Sequence, residues 1–444
     1  MKKTVLILAL IIPLLHSCKK DPDPVNTPTT EEKARDALYD LMQYAYLWYN
    51  YMPTVKVSDY TGPEDLLEAL RYKPRDKWSF VTTWDGYLAM VTGAFVGHGI
   101  RMGLDDDNNV RVVSLYTGSD LWPQGVRRGW IVKSVNGTLL APIFISGDND
   151  AYNAVMGAST AGVTNVFVFI KPDGSEVSYS STKASFTLNT VTNPTILNLT
   201  SGKTGYFAFD SFIEPSEAEL NNAFANFKAN DVTDLIIDLR YNTGGMMVIA
   251  EQLASLVMRA EDITNECYSL EYNDLVGPSW NTTANFVETE SPLGLDRVVF
   301  ITSRSTASAS EVVINSLKPY ISVTLVGDTT YGKPTGMDGW GYPKDADIEA
   351  GESYDYVFFP VTFEYVNSLG EGRFYDGIPV DILAADDITH DFGDPEEASL
   401  AAAIAYLEGT KAAQPATISN PRIYAEGNQL PKDLFRDPRQ SPMK

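Results

Sequence analysis

Residues 235–245 read Leu-Ile-Ile-Asp-Leu-Arg-Tyr-Asn-Thr-Gly-Gly. The first five form a short, nearly unbroken apolar run, the pattern of a strand buried on both faces. The stretch ends on a glycine pair, where the backbone can approach a neighbour or ligand closely. Working outward, residues 205–209 read as a strand and 216–228 as a helix, with Ser216 and Glu219 as its capping box. Residues 246–258 read as a helix, 298–302 as a strand, 311–317 as a helix and 323–326 as a strand. This alternation predicts an α/β domain over 190–410, closed by a helix at 396–407. Residues 411–444 read as a loosely packed tail.

A chain of 444 residues is too long for one ordinary core. Before the α/β part, Thr29 and Glu32 form a capping box. Ala34, Leu38, Leu41, Met42 and Ala45 then recur at helical spacing. A second helix is expected at 63–70, so 31–92 reads as a small helical domain. Residues 93–185 change to short strands and turns, with 110–115 and 131–135 β-rich and a hairpin turn at 105–109. Asp105-Asp106-Asp107 lacks the glycine and terminal glutamate of a calcium loop, and no metal site is expected.

The 34 basic and 58 acidic side chains leave a net charge of −24, which argues against nucleic acid as a partner. At the start, Lys2 and Lys3 precede an apolar stretch at 5–15, then Leu15-His16-Ser17-Cys18. This is the layout of a signal peptide over 1–17, since eleven apolar residues cannot cross roughly 30 Å of hydrocarbon. It resembles a bacterial lipobox, which implies lipidation of Cys18 and a membrane anchor, with 18–30 as an extended tether. Cys267 is the only other cysteine.

Three motifs carry chemistry. Ser308 stands between a strand and a helix in Ser305-Thr306-Ala307-Ser308-Ala309-Ser310-Glu311. With Glu311 it makes a capping box, but a serine at a helix start also has free N–H groups beside it that favour a developing oxyanion. Its hydroxyl needs a base. Past the signal segment the histidines are His98 and His390, and a lysine can serve instead if burial leaves its amine neutral. Lys333 follows Gly327-Asp328-Thr329-Thr330-Tyr331-Gly332. That stretch nearly spells a phosphate loop, but Pro334 replaces the metal-binding hydroxyl residue and removes an N–H, so no nucleotide is expected.

Asp238-Leu239-Arg240-Tyr241-Asn242-Thr243-Gly244-Gly245, then Thr306-Ala307-Ser308-Ala309-Ser310-Glu311, then Gly327-Asp328-Thr329-Thr330-Tyr331-Gly332-Lys333 resemble the carboxyl-terminal processing (tail-specific) serine protease family. The resemblance implies a crotonase-like or Clp-protease-like ββα core. It also implies Ser308 as nucleophile, Lys333 as base, and an oxyanion hole from Gly244 or Gly245 with Ala309. Polypeptides would be the substrates, no cofactor would be required, and the cell envelope would be the location. Met337 stands where many members carry a glutamine that orients the lysine, leaving a polar neighbour such as Asp338 to take that part. Gly97-His98-Gly99-Ile100 resembles the carboxylate-binding loop of a PDZ domain. Residues 125–137 resemble a later PDZ stretch, with Trp130 in place of the common aspartate. A rival reading is a non-catalytic peptide- or hydrophobic-ligand-binding lipoprotein on the same scaffold.

Overall fold

The computed structural model describes residues 28–344, 353–410, 421–425 and 435–436. Cys18 and the signal segment lie outside the described residues. The run at 235–239 forms the strand Asp234–Asp238, buried along its whole length. It sits inside a six-stranded sheet ordered Val191–Leu199, Gly202–Phe209, Asp234–Asp238, Arg297–Thr302, Ser322–Gly327, Ile382–Leu383. Every pairing after the first is parallel.

Because side chains alternate along a strand, the sheet supplies two cores. Phe207, Phe209, Leu235, Ile237, Val298 and Phe300 pack against helices Pro215–Ala229, Met247–Val257 and Ala309–Leu317. Tyr206, Ala208, Ile236, Val299 and Ile301 face Leu400, Ala403 and Leu407 of helix Ala398–Leu407. A parallel sheet covered on both sides explains why its strands read as unbroken apolar runs.

A second sheet, ordered Thr282–Asn285, Glu266–Tyr272, Val361–Val366, Thr335–Asp338, Phe435–Arg436, flanks the first. The N-terminal segment forms helices Thr30–Ala45, capped by Thr29 and Glu32 as expected, and Pro63–Leu70. Its strand Phe80–Thr83 pairs with Tyr356–Phe359, which fastens the segment to the α/β part. The β-rich segment builds a sheet running Arg422–Ala425, Ile100–Leu104, Val110–Leu115, Ile131–Val135, Thr164–Ile170, Glu176–Thr182.

Two expectations are corrected. Ser216 and Glu219 do not cap their helix: Pro215 occupies its first turn and Glu214 the cap position. Ser216 Oγ instead donates to the Ser211 carbonyl, while Glu219 accepts the N–H groups of Thr190 and Val191. The stretch beyond 410 is not wholly a loose tail, since Arg422–Ala425 and Phe435–Arg436 each join a sheet.

Candidate active site

Asn242 organises the ground on which the site stands. Its Nδ2 donates to the Phe209 carbonyl and its Oδ1 accepts the Gly244 N–H at 2.9 Å. Its carbonyl accepts the Ala307 N–H and the Ser310 hydroxyl. The 235–245 stretch is thereby stitched to the turn that carries Ser308. Gly244, at φ +112°, lies so close that a Cβ there would come 2.8 Å from Ser308 Cβ. A Cβ on Gly245, at φ +138°, would meet the Phe212 carbonyl oxygen at 2.2 Å. At both positions only glycine fits.

Ser308 caps helix Ala309–Leu317 with φ +62° and ψ −115°. For a residue with a Cβ this backbone costs on the order of 1–3 kcal/mol, and such strain clusters at functional sites. Glu311 holds it in place. The fully buried carboxylate accepts the Ser308 N–H at 2.8 Å and the Lys333 N–H at 2.9 Å on the same oxygen, Oε2. Oε1 accepts the Gly332 N–H and the Thr330 hydroxyl. Burial pushes this carboxyl up from its ordinary value, and the donors from Thr330, Lys333, Ser308 and Gly332 pull the other way. The Tyr365 hydroxyl, kept protonated by burial, lies 3.4 Å from the carbonyls of both Ser308 and Lys333.

The structure therefore brings Ser308 and Lys333 together through one glutamate, and both are 0% exposed. Lys333 Nζ lies 5.7 Å from the centre of the Trp78 ring, contributed by the N-terminal segment. Met337 is buried among apolar residues of the N-terminal core, including Trp340 and Val357. Asp338 is buried as well, its carboxylate accepting the Thr362 hydroxyl at 3.1 Å. Among the described residues, the Gly245 and Ala309 N–H groups are not consumed by the turns around them, whereas that of Gly244 is given to Asn242.

Gly97, His98, Gly99 and Ile100 lie elsewhere, in the β-rich segment, and all four are buried. His98 Nδ1 is 2.7 Å from Ser181 Oγ. A Cβ on Gly99 would meet the Phe186 ring at 2.6 Å. His390 Nδ1 is 2.6 Å from the Asp387 carboxylate.

Sequence reasoning missed the groups that join the β-rich segment to the core. Arg128 donates to Asp386 and to the Tyr241 hydroxyl, each at 2.9 Å, and to the His390 carbonyl. Arg240 is paired with Asp238, Asp386 and Glu397. Arg101 pairs with Asp210, which also accepts the Tyr116 hydroxyl. A cavity of about 350 Å³ lies among these groups, lined by Tyr116, Arg128, Asp210, Arg240 and Tyr241. No periodicity announces such pairs. Trp78 and Tyr365 carry no sequence signal either, and Glu311 was legible only as a cap.

Residues 203–351 match the model of Peptidase family S41, and residues 33–80 match that of the Peptidase S41 N-terminal domain. The chain is 24% identical over 252 residues to a chloroplastic C-terminal processing peptidase of Tetradesmus obliquus, covering 54% of this chain and 52% of that one. It is 22% identical over 329 residues to the carboxy-terminal processing protease CtpB of Bacillus subtilis (strain 168), covering 73% and 65%. The chain thus spans about half the length of the first of these relatives. A crystal structure of an S41-family protein from Bacteroides fragilis NCTC 9343 superposes with a TM-score of 0.67 at 22% identity, over 84% of this chain and 97% of that one. That likeness is one of fold.

Proposed function

The chain belongs to the carboxyl-terminal processing serine proteases of peptidase family S41, and from that premise we propose that it is an endopeptidase of the bacterial cell envelope. It cleaves unfolded or tail-bearing polypeptides with Ser308 as nucleophile and Lys333 as general base. Lys333 takes the hydroxyl proton as Ser308 Oγ attacks the scissile carbonyl, then returns it to the leaving amine. The N–H groups of Gly245 and Ala309 hold the oxyanion, because the Gly244 N–H is already committed to Asn242. Donors fixed before the reaction need no reorganisation as charge develops. Asp338 supplies the polar support that Met337 does not give.

The observation that carries this reading is the Glu311 Oε2 atom, which accepts the amides of both Ser308 and Lys333. A helix cap alone needs only the first of those bonds. The strained Ser308 backbone points the same way. Polypeptide capture is assigned to the β-rich, PDZ-like segment, and membrane attachment to a lipid on Cys18.

A fluorophosphonate probe tests the nucleophile. Labelling of the purified protein at Ser308, lost in Ser308→Ala, is the expected result. An absence of labelling between pH 6 and 10 would favour the rival binding protein.

A further inference from the structure

A peptide that adds itself to a PDZ-type domain does so as an extra strand on a sheet edge, next to the loop that receives its terminus. In the β-rich sheet that edge is the strand Ile100–Leu104, which directly follows Gly97–Gly99. The edge is occupied. Residues Arg422–Ala425 pair with it antiparallel, with Arg422 opposite Leu104, Ile423 opposite Gly103, Tyr424 opposite Met102 and Ala425 opposite Arg101. Each step toward the C-terminus moves one residue closer to Ile100, so the segment runs toward the glycine loop. This is the polarity an incoming C-terminal peptide would need.

A second pairing lies further along the tail. Phe435–Arg436 joins the edge of the other sheet, with Phe435 opposite Met337 and Arg436 opposite Asp338. That strand, Thr335–Asp338, begins two residues after Lys333. Two short segments of the tail therefore pair, one with the capture edge and the other with the strand beside the proposed base. In the same conformation Ser308 and Lys333 are closed off from solvent.

We infer that the C-terminal segment is an internal ligand of the peptide-capture edge, which an extended polypeptide must displace in order to bind. The inference rests on the proposed function for the identity of the edge. Main-chain hydrogen bonds supply most of the recognition in strand addition, with specificity left to alternate side chains. The site is accordingly a general one for unfolded chain, and the tail need not match any substrate closely. A tethered segment competes at an effective concentration of roughly millimolar, so even a weak pairing filters out weak substrates.

The test uses the full chain carrying Ser308→Ala, so that occupancy is read apart from catalysis. Along an edge strand, alternate residues hydrogen-bond to the neighbour, so Ile423→Pro with Tyr424→Pro removes at least one donor whichever residue faces the ladder. A fluorescent peptide of residues 419–440 is titrated against the chain with and without the two prolines. Amide exchange is followed at Arg101–Leu104. The expected result is at least tenfold tighter peptide binding by the proline variant, with exchange at alternate residues of that strand at least tenfold faster. Equal affinity in the two chains, including no affinity in either, overturns the inference, as does unchanged exchange. Neither result bears on whether Ser308 is a nucleophile.

Discussion

Ser308 and Lys333 stand twenty-five positions apart in the sequence, yet a single oxygen of Glu311 accepts both backbone N–H groups. That atom fixes where the strained serine turn sits relative to the lysine loop. Two oxygens meet four donors here, so the site is complementary to a carboxylate and to nothing that donates. Glu311→Gln turns one oxygen into an NH2 facing N–H or O–H donors, which leaves buried groups unsatisfied at about 1–3 kcal/mol. The variant should melt lower and lose kcat by more than it changes KM, because positioning of the pair is lost while substrate contacts elsewhere remain. Thermal melting with steady-state kinetics checks this. A variant that melts lower but keeps its kcat would reduce Glu311 to a helix cap.

At the level of elements, helix Ala398–Leu407 is tied to the central strand by its own cap residue. Glu397 accepts the Leu400 N–H at 2.9 Å and both Arg240 amino groups, at 2.7 and 2.8 Å. Burial disfavours its charge, but the Arg240 cation and its hydrogen bonds prevail and hold the carboxyl below its ordinary range. The folded chain therefore releases this proton more readily than the unfolded chain. The stabilisation is present above the unfolded value and is lost as pH falls through the depressed folded one. Glu397→Gln should cost about 1.5–3 kcal/mol at neutral pH, the range for a hydrogen bond to a charged group. Its deficit should shrink below about pH 4. Melting of both chains from pH 7 to pH 3 measures the gap, and a constant gap would exclude the charged pair as its source. Asp238 carries the opposite sign, since burial raises its carboxyl against the pull of Arg240, and the Glu397 charge adds to that rise; the measured gap therefore belongs to the carboxylates that share Arg240. None of this was visible in advance. The strand Asp234–Asp238 was legible because burial on two faces demands an apolar run. The pairing of Arg240 with a glutamate far along the chain follows only from the sheet bringing them together. Likewise the short helices Ala141–Ser146 and Asn149–Met156 offer six and eight residues, too few for periodicity to stand out, and Pro215 displaced the capping box read at Ser216.

Over the whole molecule, Trp78 from the N-terminal part meets Glu311 and Tyr365 of the core at Lys333, and Phe435–Arg436 pairs with Met337–Asp338 a few residues further along the chain. The motifs at 238–245, 306–311 and 327–333 announced the α/β core and its candidate dyad because each is local. The tail read as loose because edge strands of four and two residues are held by main-chain bonds, which leave little pattern in side chains. The closed arrangement holds Ser308, Lys333 and the strand Ile100–Leu104 in one fold, with Arg422–Ala425 paired along that strand. The claim on which the account turns is that the Lys333 amine moves the proton of Ser308. Arginine at 333 keeps the charge but cannot give up its proton near neutral pH. Cleavage of a disordered polypeptide, followed by mass spectrometry for the unaltered chain and for Lys333→Arg, is the direct measurement. The account predicts a loss on the order of 10³-fold or more, equal to that of Ser308→Ala and little deepened in the double variant, with wild-type activity rising to a plateau as pH increases. Near-normal turnover by Lys333→Arg would contradict it and return His98 and His390 as candidate bases.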